Sequence, residues 1–376
     1  MNNKNIRYRR NVNRESYKII KLFVKILLTC ALACLTIIFL GWTLVRDKIE
    51  PPVIPNVNHN IVMPSLDDFA FLPLEEDEEE EGVYEDMYIG GGLRAPEGFT
   101  ADDRKDQFFT FLIIGLDDSI ITDTIMVASY DGINREANII SIPRDSLVNV
   151  RRRVKKISVA YPVGTLRGGG REGGIAQLQR EIKTIIGFIP DFYISLDYDA
   201  FIKLVDAVGG IVVYVPIDMR YTDRSQGLRI DIRRGEQRLN GENALKFARY
   251  RRGSRGFRTI TDYQRIENQQ TVIRAMLAEL MRPSNILRIP IFLSIFNEHV
   301  HSDISVGNML WFADQLNQIK DTDALSMYTM PTIGTSGPPM HYELLDKTGI
   351  IELVNRTINP FKIDIEAKDL DIITRY

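Results

Sequence analysis

The sequence predicts an α/β fold: a layered α-β-α sandwich with a central mixed sheet, preceded by one transmembrane helix. Three observations point there. From about Lys105 onward, short runs rich in β-branched and aromatic residues alternate with segments of helical spacing, the pattern that builds layered sheets. Upstream, residues 26–45 form a run of twenty residues without a charge, and a helix of that length rises about 30 Å, the thickness of a bilayer core. Between the two lies a stretch of proline, glycine and acid that cannot form a core.

The elements follow in order. Residues 1–25 carry eight Lys or Arg against one acid, Glu15, and this basic excess assigns them to the cytoplasm. The span at 26–45 follows, with Trp42 near its outer end, where the headgroup region favours an amphipathic ring. "GWTLVRDKIE" lacks the small-x-small pattern of a cleaved signal, so the helix is retained and all that follows is extracytoplasmic. Both cysteines, Cys30 and Cys34, fall inside this helix, which leaves the exported part without disulfides or thiolate ligands. Residues 46–104 form a stalk: "EPPVIPNVNHN" is extended, and "LEEDEEEEGVYEDMYIGGG" repels itself.

One domain, residues 105–376, follows. "FFTFLIIG", "TIMVASYD" and "ANIISIP" are strands bounded by turn residues. "IAQLQREIKTIIG" is a helix stopped by glycine, "DFYISLD" a strand, "YDAFIKLVDAVGG" a helix and "IVVYVP" a strand ended by proline. "GENALKFA" and "TDYQRIENQQTVIRAMLAELM" are helical, two or three further helices run from Pro283 to Lys320, and "ALSMYTMP" supplies a late strand. "LRGGGREGG" lacks the Lys-Ser/Thr ending of a P-loop and reads as a flexible loop.

The chemistry is narrowed by exclusion. The histidines, His59, His299, His301 and His341, stand apart in sequence from the carboxylate and arginine motifs, which disfavours Ser-His-Asp and Cys-His systems and the usual zinc sites. The net charge of −3 hides a local bias: residues 220–265 hold thirteen Lys or Arg and five Asp or Glu, which suits an anionic ligand. Nucleic acid is disfavoured by the extracytoplasmic location and by the lack of aromatic residues interleaved with the arginines.

Four motifs carry the remaining possibilities. In "GLDDSIITDT", Asp117 follows one strand and Asp123 precedes the next. If the strands are neighbours, both carboxylates reach one sheet edge and suit a hard cation such as Mg2+; the alternative is a polar turn bonded to backbone. In "SIPRDSLVNV", proline ends a strand and leaves Arg144 and Asp145 at its mouth, either as a ligand site or as a local ion pair. In "LNGENALKFARYRR", a helix ends near Phe247. With extended chain beyond it, Arg249 and Arg251 share one side, a spacing that suits a diphosphate, while Arg252, Arg255 and Arg258 read as a mobile solvated loop. In "TDYQRIENQQ", Thr261 or Asp262 caps a helix. Asp262, Arg265 and Gln269 share one stripe beside Ile266, as a polar site or as a cap with an ion pair.

Together these motifs, with "KKISVAYPVG", "IPDFYISLDYDAFIKLVDAVGGIVVYVP" and "GEQRLNGENALKFARYRR", resemble the LytR-CpsA-Psr family of bacterial cell-envelope proteins over a motif core at 109–274. The resemblance implies a membrane-anchored, Mg2+-dependent phosphotransferase. Such a protein moves an anionic glycopolymer, such as teichoic acid or capsule, from a polyprenyl-pyrophosphate carrier to peptidoglycan and forms a phosphodiester. It implies that Asp117 and Asp123 hold the metal and that Arg144, Arg249, Arg251 and Arg265 grip the pyrophosphate, joined by Gln269. Lys156 matches a family lysine, and Asp262 orients an arginine or positions the acceptor. Asp123 and Asp145 are both candidates for the proton acceptor.

Three departures stand out: Ser119 takes the place of the family arginine after the first aspartate, Ser158 that of an asparagine, and Asn268 that of an arginine. Arg151 to Arg153 or Arg167 are candidates to replace the missing phosphate contact. A non-catalytic lipid-phosphate or polymer-binding module and a lipid-pyrophosphate hydrolase are the alternative functions.

Overall fold

The computed structural model describes residues 50–52, 54, 95–117, 120–224, 227–318, 324–337 and 340–373. The chain divides into two units, Met1–Pro51 and Pro52–Tyr376, and every element named here belongs to the second. The predicted span at 26–45, both cysteines, Asp118 and Ser119 lie outside the described residues, among which no helix is long and apolar enough to cross a membrane.

In chain order the elements are β1 (Phe108–Leu116), β2 (Thr122–Asp131), β3 (Glu136–Ser141), α1 (Ala160–Gly164), α2 (Gly170–Ile186), β4 (Phe192–Leu196) and α3 (Tyr198–Ala207). Then come β5 (Ile211–Val215), β6 (Met219–Asp223), β7 (Leu228–Ile232), β8 (Gly235–Leu239), α4 (Gly241–Arg249), α5 (Asp262–Leu280) and α6 (Ile289–His299). The last are β9 (His301–Ser302), α7 (Val306–Gln318), β10 (Leu325–Thr329), β11 (Thr332–Thr335), β12 (Glu343–Leu345) and α8 (Lys347–Thr357).

The main sheet has the order β10-β3-β2-β1-β4-β9. It is mixed: β1 runs antiparallel to β2 and parallel to β4, and β3 runs antiparallel to β2 and parallel to β10. Period-two alternation sends Leu112, Ile114, Ile125, Val127, Ile140 and Ile142 into one core, which α2 and α8 close with Leu178, Ile182, Ile350 and Val354. The opposite face carries Met126, Ala128 and Ile139 against Ile273 of α5. On that face α7 also stacks Trp311 and Phe312 edge-on to Phe109, at 5.3 and 5.4 Å between ring centroids. Burial of both faces explains why these strands read as nearly continuous apolar runs.

The predicted sandwich and mixed sheet are therefore present, with "ALSMYTMP" at one sheet edge as β10. The packed region starts earlier than the predicted boundary at 105. Phe99 packs edge-on to Phe361 at 5.0 Å, and Arg104 bonds the buried Asp191 at 2.7 Å. Asp191 also accepts the Thr110 backbone N–H and hydroxyl, at 2.9 and 2.8 Å, which ties β1 to the start of β4.

The glycine-rich stretch is not a loose loop. Residues 160–186 are helical nearly throughout, with a π-helical turn at Thr165–Gly169. A Cβ added at Gly164 would lie 2.1 Å from the Gly173 carbonyl oxygen, so the glycines let α1 press directly on α2. Gly164→Ala must force these segments apart. We expect it to lower stability by about 1–3 kcal/mol, read as a lower denaturant midpoint at unchanged slope.

Candidate functional site

β1 and β2 are neighbours, as the two-carboxylate reading required, and the loop between them treats its acids differently. The register jumps from Gly115 opposite Thr124 to Leu116 opposite Thr122, so Asp123 is the extra residue of a β-bulge. A bulge re-aims the side chain it carries, and here it frees Asp123 from the ladder. Asp117 closes the turn. Its carboxylate accepts the Ile121 N–H at 2.8 Å, and its own N–H donates to the Ile121 carbonyl at 3.0 Å. Asp117 thus braces the turn through one carboxylate oxygen, whereas Asp123 faces a cluster of cations.

That cluster is drawn from distant parts of the chain. Arg144, just after Pro143 at the mouth of β3, donates through Nη1 to Asp123 Oδ1. Arg265 Nη1 stands 3.9 Å from the same oxygen, and Arg265 Nη2 stands 3.5 Å from Asp262 Oδ1. Arg251 Nε lies 3.2 Å from that Asp262 oxygen. Lys156 and Asp145 pair at 3.0 Å.

Local structure sets each position. Thr261 is the N-cap of α5, closed by a capping box with Gln264, so Asp262 opens the helix and its carboxylate is left to meet arginines. Arg265 and Ile266 are buried one turn on, and Gln269 is half-buried on the same face. Asn240 caps α4, which runs to Arg249, two residues past the predicted end at Phe247. Arg249 is therefore helical rather than extended, so the period-two premise fails; the fully buried Tyr250 separates it from Arg251, and both arginines are half-buried. Buried Asn268 donates to the Phe247 carbonyl at 3.5 Å and supports the end of α4. Arg252, Arg255 and Arg258 are exposed in a loop, as expected, and hydrogen bonds brace it: Tyr250 donates its hydroxyl to the Arg258 carbonyl at 2.6 Å, and the Ser254 N–H reaches the Arg220 carbonyl at 2.8 Å.

Two residues at the site gave no signal in the sequence. Tyr198, at the start of α3, donates its hydroxyl to Asp123 Oδ2 at 3.2 Å, and the Arg249 guanidinium lies 4.2 Å from its ring centroid. Burial, with the Asp123 and Asp117 charges adding to it, pushes the Tyr198 phenol well above its ordinary value against the pull of Arg249. Glu343, in β12, accepts from the Tyr263 hydroxyl at 3.3 Å and lines a small cavity with Arg144, Asp145, Asp262, Arg265 and Ile266. Burial raises its carboxyl above the usual range, and the Asp262 and Asp145 charges add to the rise.

Of the candidates to replace the family arginine, Arg152 is committed elsewhere. It clamps the buried Glu181 carboxylate through both Nη atoms and donates to the Val154 and Lys156 carbonyls at 2.6 and 2.7 Å. It therefore holds the backbone that carries Lys156.

The electrostatics are finely balanced. Burial holds the Arg265 guanidinium below its ordinary value, with Arg144 repelling it and Asp262 and Asp123 compensating. Arg144 is raised, because Asp123, Asp145 and Asp262 together outweigh its burial. Arg144, Lys156, Arg249, Arg251 and Arg265 stand against Asp117, Asp123, Asp145, Asp262 and Glu343, five charges of each sign. Arg144 Nε and Arg265 Nε are buried donors without a hydrogen-bond partner among the described residues. Unpaired buried donors are rare, and phosphate oxygens are the acceptors that guanidinium groups suit best.

Comparison with known proteins agrees with this picture. The chain is 29% identical over 54% of its length to the polyisoprenyl-teichoic acid–peptidoglycan teichoic acid transferase TagV of Bacillus subtilis. It is 27% identical over 55% of its length to the regulatory protein MsrR of Staphylococcus aureus. The matches cover 52% and 59% of those relatives, so the chain spans little more than half their length. The crystal structure of TagV shares the fold at a TM-score of 0.55 and 24% identity, over 67% of this chain and 96% of that one. A structure of TagT bound to LIIa-WTA does so at 0.54 and 18% identity, over 73% of this chain and 98% of that one. The sequence profile of the LytR_cpsA_psr family matches residues 85–357, a span that takes in the whole sheet and every charged residue of the cluster, and the chain belongs to that family.

Proposed function

We propose that this protein is a membrane-anchored phosphotransferase that moves an anionic glycopolymer from a polyprenyl-pyrophosphate carrier to peptidoglycan. The observation that carries the reading is the convergence of Arg144, Arg249, Arg251 and Arg265 on Asp123, Tyr198 and Asp262, with two guanidinium Nε donors left over. The names of TagV, a teichoic acid transferase, and of TagT bound to LIIa-WTA support the choice of substrate class. In this reading residues 26–45 anchor the chain, 1–25 stay in the cytoplasm, and the stalk at 46–104 carries the domain of 105–376 outside the membrane.

The chemistry is an attack by an acceptor hydroxyl of peptidoglycan on the phosphorus that bears the polymer. An oxygen–phosphorus bond forms, the bridging bond of the pyrophosphate breaks, and polyprenyl phosphate leaves with the electron pair. Such a reaction asks a protein mainly for positioning and charge neutralisation. Arg144 and Arg265, already close to each other across Asp123, hold the phosphate oxygens. Arg249 and Arg251 hold the second phosphate, Arg249 braced on the Tyr198 ring. Gln269 adds an amide on the same face. Lys156 pairs with Asp145, whose charge also helps to hold the Arg144 guanidinium.

Asp117 and Asp123 fit Mg2+ by chemistry and by charge. They are hard oxygen donors at one sheet edge, and magnesium commonly takes only one or two protein carboxylates and completes its shell with phosphate and water. The charged residues of the cluster cancel one another, so an arriving pyrophosphate needs a further cation. Bound there, Mg2+ would supply positive charge to offset that of the phosphate oxygens.

Transfer from a lipid-pyrophosphate-linked polymer to a peptidoglycan fragment tests the proposal. Asp123→Asn should slow it by about 100-fold or more, the range seen when one aimed charge-stabilising group is removed. Chelation should abolish transfer, and added Mg2+ should restore it. Lipid retention without turnover in any metal would favour a binding module, and release of free polymer despite plentiful acceptor would favour a hydrolase. Arg249→Lys should fall at least tenfold in kcat/KM rather than rescue, because an ammonium cannot reproduce a guanidinium fork stacked on a ring.

A further inference from the structure

We propose that Glu343 is the group that accepts the proton of the attacking hydroxyl. The inference rests on the transferase reading above and gives that site its acceptor side.

Three carboxylates at the cluster are spoken for by cations. Asp123 is shared between Arg144 and Arg265, Asp145 is paired with Lys156, and Asp262 stands between Arg251 and Arg265. Each of these carboxylates already has a cation seated at its oxygens. Glu343 differs. It lines the same small cavity as Arg144, Asp145, Asp262 and Arg265, yet no Lys or Arg lies within ion-pair distance of it among the described residues. The contact of its carboxylate is the Tyr263 hydroxyl at 3.3 Å, which is shared with Thr332 at 2.6 Å.

The backbone makes this placement rigid. The Glu343 N–H donates to the Asp145 carbonyl at 2.9 Å, and the Glu343 carbonyl accepts the Leu147 N–H at 2.9 Å. Glu343 is thereby clamped directly to the segment that carries Arg144, so its carboxylate and the phosphate-holding guanidinium keep a fixed relation. The groups that act on it are Tyr263 and Asp262 from α5 and Asp145 from the loop after β3, and Arg144 and Arg265 line the same cavity. Burial and two like charges raise its affinity for a proton, while the Tyr263 hydroxyl opposes the rise. A general base works best when its pKa approaches the working pH, and this is the direction of the shift.

In the step itself the hydroxyl oxygen bonds to phosphorus as its proton passes to a Glu343 carboxylate oxygen. Polyprenyl phosphate departs, and Glu343 later returns the proton to water. No oxidant or further reactant is needed.

The test is a pH–rate profile of polymer transfer for the full chain and for Glu343→Gln, with lipid-pyrophosphate binding measured alongside. The wild-type rate should fall as the pH drops through the raised Glu343 pKa, because the protonated carboxyl cannot take a proton. Glu343→Gln keeps the shape and the Tyr263 contact, so donor affinity should change less than threefold. Its kcat should fall by about 100-fold, within the usual range for general-base catalysis, and its acid limb should disappear. Glu343→Asp should recover part of the rate. A Glu343→Gln protein that transfers at the wild-type rate with the same acid limb overturns the inference and leaves the transferase reading standing. A wild-type protein that binds donor and transfers nothing overturns both.

Discussion

The site depends on one carboxylate placed between two guanidinium groups. Arg144 and Arg265 are both largely buried, and two such cations repel each other by several kcal/mol at the effective dielectric of a protein surface layer. Asp123 makes their approach possible, and the bulge in β2 puts Asp123 there. Its second oxygen receives the Tyr198 hydroxyl, so the same carboxylate also fixes the ring against which Arg249 lies. Four pieces of chain that are remote in sequence, at β2, the mouth of β3, α3 and α5, are thus registered by a single side chain.

Around that point the scaffold supplies rigidity with elements of its own. Gln270, next to the half-buried Gln269, donates to the Ser141 hydroxyl at 3.0 Å and the Tyr328 carbonyl at 2.9 Å, and so pins α5 to the sheet. Asn268 holds the end of α4, and Arg152 with Glu181 holds the segment before α1. Of the departures from the family pattern within the described residues, Asn268 belongs to this supporting layer through its bond to the Phe247 carbonyl, and Ser158 is buried.

The sequence made the framework legible wherever a local period exists. The strands announced themselves by apolar runs, the helices by spacing and caps, and Asp262 and Arg265 by the helical stripe on which they lie. The arginine pair at 249 and 251 was picked out by its spacing, although the helix runs on to Arg249 and the extended chain that spacing assumed is absent there. What stayed hidden depends on long-range packing. Tyr198 is one aromatic among fifteen tyrosines until α3 is folded against β2. Glu343 lies in a C-terminal region without a motif, and only its pairing with the chain after β3 brings it to the cluster. "LRGGGREGG" was misread because glycine signals both looseness and close approach, and the partner surface on Gly173 cannot be seen from composition.

The stacking of Arg249 on Tyr198 and the holding of Arg144 by Asp123 have a thermodynamic corollary. Long flexible side chains ordinarily surrender rotational freedom when a ligand arrives, at about 0.5–1.5 kcal/mol for each one immobilised. Here folding has already placed those two arms, so the pyrophosphate of the proposed reaction would meet forks that need little further ordering. For such a ligand, affinity would respond weakly to the flexibility of these arms and steeply to the spacing of its two phosphates, and the cluster would serve as a ruler.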